Sequence, residues 1–125
     1  MFGTLLQVAL GGAIGSTARY LTNVSVMRTI GGGFPWQTVI VNVLGSFAMG
    51  ALVVWLAHKG LTRHAPFLMT GILGGFTTFS AFSLDAVSLW ERGAGGQAAA
   101  YVIGSVVVSL AALFLGMSIT RGIVS

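Results

Sequence analysis

The chain has 125 residues, of which 55% are hydrophobic and only 6% are charged, and its mean hydropathy is +0.94. About a quarter of the residues of a soluble domain are charged, so this composition excludes an ordinary soluble domain. Six scattered basic residues give a net charge of +4 without a basic face for nucleic acid, and the absence of cysteine excludes disulfides and thiolate metal sites.

Four apolar segments predict an all-α membrane protein with four transmembrane helices in a single domain. Each is long enough for a hydrocarbon core of about 30 Å, which needs about 20 residues. The predicted spans cover residues 2–27, 36–57, 66–90 and 97–120. The short connections make neighbouring helices alternate in direction. Because four helices enclose little interior, we expect the chain to oligomerise.

The first span carries one basic residue, Arg19, about two-thirds of the way along. A long cation near a helix end commonly reaches the membrane interface. Alternatively, Arg19 lines an aqueous vestibule that attracts anions. The same span also pairs Gly11 with Gly15, a spacing of small residues that lets membrane helices pack closely.

The second span has Asn42 seven residues from its start, with Thr38 one turn earlier on the same face. Asn in a membrane helix often joins neighbouring helices by hydrogen bonds. In the other interpretation, its amide NH₂ group donates to a passing anion.

The third span is interrupted by residues 74–83, GGFTTFSAFS. Glycine and β-branched Thr weaken a helix, and the hydroxyls compete for backbone partners. A bilayer tolerates such a stretch only where protein or water satisfies the freed backbone groups. We therefore predict a helix broken near its middle, and broken membrane helices commonly bind ions.

The fourth span carries three hydroxyl residues at intervals of four, Tyr101, Ser105 and Ser109, which predicts a wet or protein-facing groove. Each Ser could instead bond to the carbonyl four residues earlier. The chain has no nucleophile with a base, paired carboxylates or phosphate loop, so we predict that it is not an enzyme.

Basic residues of the predicted loops give almost no orientation signal. Lys59, Arg63 and Arg121 fall on one side of the membrane, and Arg28 and Arg92 fall on the other. Either another feature sets one orientation weakly, or the chain inserts in both orientations and pairs as an antiparallel dimer.

The chain resembles the Fluc (CrcB) fluoride channels. The stretch at residues 74–83 is similar to the family's signature in the third helix. Residues 11–15 with Arg19 and Tyr20 resemble its first helix, residues 38–50 its second, and the hydroxyl track its fourth. The resemblance covers all four predicted spans and nearly the whole chain.

The resemblance implies a fluoride-selective channel that exports fluoride passively, built as a dual-topology antiparallel homodimer in a bilayer, the bacterial inner membrane. Arg19 would line the vestibule, and the Gly74 and Thr77 carbonyls would hold a structural Na⁺ at the dimer centre. The implied fluoride pathway comprises Asn42, Phe79, Ser80, Phe82, Ser83, Tyr101, Ser105 and Ser109.

Two departures from the family pattern concern this pathway. Ala81 stands where some relatives have Thr, which removes one hydroxyl, and Asp85 stands where Glu is commoner. Asp85 either lies in a vestibule or caps the second half-helix. The rings of Phe79 and Phe82 have positive edges that favour anions, and hydroxyl groups donate hydrogen bonds to anions. The chemistry of the remaining pathway residues therefore suits fluoride.

Two other functions are compatible with a small four-span protein. A multidrug exporter coupled to protons needs an embedded Glu in the first helix, whereas this chain has Arg19 there and no acidic residue. A non-transporting assembly subunit would make the aligned hydroxyls accidental. Ion flux through the purified protein separates this second alternative from a channel.

Overall fold

The computed structural model describes residues 1–125, and every regular element in it is helical. The elements are as follows: α1 (Phe2–Thr29), α2 (Trp36–Lys59), a 3₁₀ turn (Thr62–His64), a π-helical segment (Pro66–Leu73), α3 (Gly74–Phe76), α4 (Phe79–Glu91) and α5 (Gly95–Val124).

Three helical stretches are long and apolar enough to cross a membrane: Trp36–Lys59, Thr62–Glu91 and Gly95–Val124. Helix α1 has the length, 28 residues, but is not among the three. Its predicted role as a fourth span therefore stays a prediction. The all-helical architecture and the membrane character of the chain agree with the sequence analysis.

Glycines bring α1 against the first half of the third span. A Cβ atom added to Gly15 would overlap the backbone carbonyl of Ile72, and one added to Gly11 would overlap that of Phe67. Gly71 lies against Gly11 in the same contact. These positions have room only for hydrogen, as the small-residue spacing in the first span predicts.

The second pair of helices, α2 and α5, is joined in the same way. A Cβ atom on Gly50 would overlap the Leu113 carbonyl, and one on Gly116 would overlap the Phe47 carbonyl. Helix α4 also packs against α5. The bundle therefore consists of two close helix pairs, with the break of the third span between them.

The connections are tight turns that rely on glycine. Gly60 ends α2 in the left-handed region, with φ of 67°, and Pro35 precedes the first residue of the same helix. The connections 30–35 and 92–94 meet at one end of the bundle, where the Arg92 side chain donates a hydrogen bond to the Gly33 carbonyl at 3.0 Å.

Candidate functional site

The third span is broken between α3 and α4, as the sequence predicts. Thr77 (φ −84°, ψ 159°) and Thr78 (φ −150°, ψ 122°) are both extended. Thr78 begins the second half, because its hydroxyl accepts a hydrogen bond from the Ala81 N–H at 3.1 Å. Thr at this position is a favourable helix cap, so the two adjacent Thr residues serve the break itself.

Asn42 holds the backbone of the break from the neighbouring helix α2. Its Nδ2 donates to the Thr78 carbonyl at 3.0 Å, and its Oδ1 accepts from the Thr78 N–H at 2.8 Å. One side chain thus satisfies both polar groups of the residue where the helix is interrupted. Asn42 joins helices, as in the first sequence interpretation, and one N–H of its amide is still free to donate.

Arg19 binds the break from α1. Its Nε donates to the Gly75 carbonyl at 3.0 Å, and the side chain is half-buried. This carbonyl belongs to the last turn before the break, where unpaired carbonyls give a helix end its negative character. The sequence interpretations of Arg19 did not include this contact, because its partner lies 56 residues away.

A groove of about 310 Å³ runs beside the break between α2, α4 and α5. It brings together five predicted pathway residues: Asn42, Phe79, Phe82, Ser105 and Ser109. Sequence reasoning missed Ser46, one turn beyond Asn42, as a further polar lining residue. Thr77 and Thr78 also line the groove.

Ser105 presents an unusual hydroxyl to this groove. The residue is 6% exposed, and its Oγ has no hydrogen-bond partner within the chain. An unpaired buried hydroxyl costs about 1–3 kcal/mol, which makes the Ser105 hydroxyl a candidate donor to a ligand or water in the groove. Ser109, one turn further along α5, is half-buried in the same lining.

Three of the predicted pathway hydroxyls, those of Tyr101, Ser83 and Ser80, do not line the groove. Ser83 donates to the Phe79 carbonyl at 3.0 Å within its own helix. Ser80 is exposed, and its Oγ lies 3.4 Å from the Thr78 hydroxyl. The position of Ser80 and Ser83 at the start of α4 keeps both close to the break.

A chain of aromatic contacts leads from the groove towards one end of the bundle. The ring centroids of Phe79 and Phe82 lie 5.6 Å apart, and those of Phe82 and Tyr101 lie 5.2 Å apart. Phe34, in the first connection, meets the Tyr101 ring edge-on at 5.5 Å. Tyr101 is 1% exposed, and its ring links Phe82 to Phe34 in this series of aromatic contacts.

Asp85 lies within α4 and accepts two hydroxyl hydrogen bonds on one oxygen. Thr38 donates to its Oδ2 at 2.7 Å, and Tyr101 donates to the same atom at 3.0 Å. The carboxylate does not cap α4, since Thr78 does so. The Tyr101 hydroxyl thus points to Asp85, whereas Ser105 and Ser109 face the groove.

The break also provides carbonyl oxygens suited to a hard cation. Thr78 N–H, which would bond to the Gly74 carbonyl in an unbroken helix, bonds to Asn42 instead. No backbone N–H outside the helices donates to the Gly74 or Thr77 carbonyl. Gly74 is exposed and Thr77 is half-buried. These two free carbonyls fit the donor type that Na⁺ binds in broken membrane helices.

Comparison with known proteins identifies close relatives over the full length. The family model described as CrcB-like protein, Camphor Resistance (CrcB), matches residues 6–117. A protein of Cereibacter sphaeroides named fluoride-specific ion channel FluC is 69% identical over 122 residues, or 98% of each chain. Proteins with the same name from Ruegeria sp. and Paracoccus denitrificans are 60% and 57% identical, covering 100% and 96% of each chain.

Proposed function

This chain belongs to the CrcB family, and on that basis we propose that it is a fluoride-specific ion channel of a bacterial membrane. The observation that carries the proposal is the 69% identity, over 98% of both chains, to a relative with that name. The protein is a multi-pass membrane protein and a channel, so it conducts an ion and catalyses no reaction. Passive flow through it lowers the fluoride concentration inside the cell.

The groove beside the break supplies the chemistry that fluoride needs. Fluoride holds its water tightly, and a selective pore must replace that water with fixed donors. Ser105 contributes a buried hydroxyl without an internal partner, Ser109 contributes a second, and Asn42 has a free amide N–H. The aromatic quadrupole gives the rings of Phe79 and Phe82 positive edges, which attract an anion.

The remaining predicted pathway residues take supporting positions in this proposal. Tyr101 fixes Phe82 by ring contact and Asp85 by a hydrogen bond. Ser80 and Ser83 lie at the exposed start of α4, where they extend the path beyond the groove. Arg19 places a cation next to the break, which favours an anion in the adjacent vestibule.

The Gly74 and Thr77 carbonyls would hold a structural Na⁺. The bound cation would supply positive charge at the C-terminal end of α3, where carbonyl groups lack helical partners. It would also fix the extended backbone of Thr77 and Thr78. Two oxygens are too few for a complete coordination shell. The same carbonyls from a second copy would double the number, which supports a cation at the centre of a dimer.

Two features support an antiparallel dimer of four-span chains. Phe79 lines the groove yet is 78% exposed in the single chain, so one wall of the path is open. The loops carry three basic residues on one side and two on the other, which permits insertion in both orientations. A second copy would close the path, with α1 as the fourth span.

Fluoride efflux from liposomes tests the proposal directly. Protein reconstituted in Na⁺ should release fluoride but not chloride, and replacing Na⁺ by a large organic cation should reduce the release. Absence of efflux, or equal chloride flux, would refute the channel.

The Phe82→Ile variant tests the pathway within the same assay. We expect its fluoride flux to fall by at least about tenfold, the effect of losing about 1.4 kcal/mol at the barrier. Phe114→Ile is the matched control, because Phe114 is 69% exposed on α5 and does not line the groove. Equal flux in both variants would remove Phe82 from the path.

A further inference from the structure

A second cavity, of about 200 Å³, opens at the end of the bundle where the connections 30–35 and 92–94 meet. We call it the end cavity. Its lining includes one acidic and one basic side chain, Asp85 and Arg92, together with Phe34, Gln37 and Ser88. Asp85 is one of only two acidic residues in the chain.

The negative charge of Asp85 has no cationic hydrogen-bond partner. Both groups that donate to its Oδ2, the hydroxyls of Thr38 and Tyr101, are neutral. The other oxygen, Oδ1, accepts no hydrogen bond from the chain. In a cavity bounded by apolar helices, such a charge is screened less than at an open surface, and its field reaches any ion that enters.

The end cavity and the groove are linked by a series of side-chain contacts. The Asp85 carboxylate lines the cavity and bonds to Tyr101, whose ring packs on Phe82 in the groove lining. Phe34 lines the cavity and meets the same Tyr101 ring. A fluoride path that continues from the groove into this cavity would pass close to Asp85.

Arg92 is held in place at the same cavity. It follows the last residue of α4, and its Nη2 donates to the Gly33 carbonyl in the opposite connection at 3.0 Å. The side chain is exposed, so it lies towards the outer part of the cavity. The two other charged groups at this end, Glu91 and Arg28, are exposed, carry opposite charges and do not line the cavity.

We infer that Arg92 is the counter-charge of Asp85 and keeps the end cavity open to fluoride. This inference rests on the proposed function. With both side chains the cavity has no net charge, whereas Asp85 alone would make it negative and repel the transported anion. Arg92 is thus a positioning residue for ion access, and it contacts neither the groove nor the break.

The test is fluoride efflux from liposomes at two ionic strengths, with Na⁺ held constant. The Debye length is about 30 Å at 0.01 M and about 3 Å at 1 M, so repulsion by Asp85 is stronger at low salt than at high salt. We expect Arg92→Gln to lower flux on the order of tenfold at low salt and to approach the native rate at high salt. Arg92→Lys should retain the native flux, since it keeps the charge.

The matched control is Arg121→Gln, which removes one positive charge at the opposite end of the chain and should have the native salt dependence. The double variant Arg92→Gln/Asp85→Asn returns the net charge of the cavity to zero. Its fluoride flux should not show the salt dependence of Arg92→Gln. Equal deficits at both salt concentrations, a deficit in Arg92→Lys, or persistent salt dependence in the double variant would each overturn the inference. Absence of efflux from the native protein would instead refute the channel itself.

Discussion

The Asn42 amide provides a quantitative test of how the broken helix is stabilised. Replacement by Ala removes two hydrogen bonds, of 3.0 and 2.8 Å, and leaves the N–H and carbonyl of Thr78 without partners. If no water replaces the amide, each unpaired group costs about 1–3 kcal/mol, so the loss is about 2–6 kcal/mol. If the groove admits water, only the net value of two hydrogen bonds is lost, about 1–3 kcal/mol.

The measurement is the free energy of unfolding, obtained by SDS titration in mixed micelles and followed by fluorescence of the three Trp residues. Asn23→Ala is the matched control. Asn23 is half-buried on α1, but its Oδ1 has no hydrogen-bond partner. The same truncation there should change the unfolding free energy by less than about 1 kcal/mol. Equal destabilisation by the two variants would refute the role of Asn42 in holding the break.

Two further predictions concern packing and the groove. Gly15→Ala should abolish the folded protein in detergent, judged by size-exclusion chromatography, because its Cβ would overlap the Ile72 carbonyl. Gly12→Ala, where a Cβ has no neighbour within 4 Å, should fold normally, and similar yields of the two would contradict the packing. Ser105→Ala should leave the unfolding free energy unchanged or raised by up to about 1 kcal/mol while it lowers fluoride flux, since it removes a buried hydroxyl without an internal partner. A lower unfolding free energy for Ser105→Ala than for the native protein would show that the Ser105 hydroxyl is structural.

The local features of the site could be predicted from the sequence. Two glycines followed by two Thr residues indicated the break, and the structure places it at Thr77 and Thr78. The spacing of Ser105 and Ser109 indicated a polar face on the last helix, and both line the groove. These predictions succeeded because each depends on residues within a few turns of one another.

The position of Tyr101 shows the limit of a four-residue spacing. With 3.6 residues per turn, residues four apart are rotated by about 40° relative to each other, so Tyr101 and Ser109 differ by about 80°. Ser105 and Ser109 face the groove, whereas the Tyr101 hydroxyl reaches Asp85 on α4. Residues that a four-residue spacing assigns to one helix face therefore contact two different parts of the structure.

Other features depend on contacts that no local pattern contains. The partners of Arg19 and Asn42 lie 56 and 36 residues away along the chain. The π-helical winding of Pro66–Leu73 likewise has no signal in its residue types, which are mostly apolar. It coincides with the close contact of Gly71 and Gly11, where the segment packs against α1.

The order of the hydrogen-bond partners along the chain has a consequence for biogenesis. A membrane helix normally satisfies its own backbone as it is made, but the N–H and carbonyl of Thr78 bond to Asn42 instead. The two side chains that bind the interrupted backbone, Arg19 and Asn42, both precede it in the chain. Because synthesis proceeds from the N-terminus, α1 and α2 have already been made when the interrupted helix is synthesised. The interrupted segment is thus made after both of the side chains that bind its backbone.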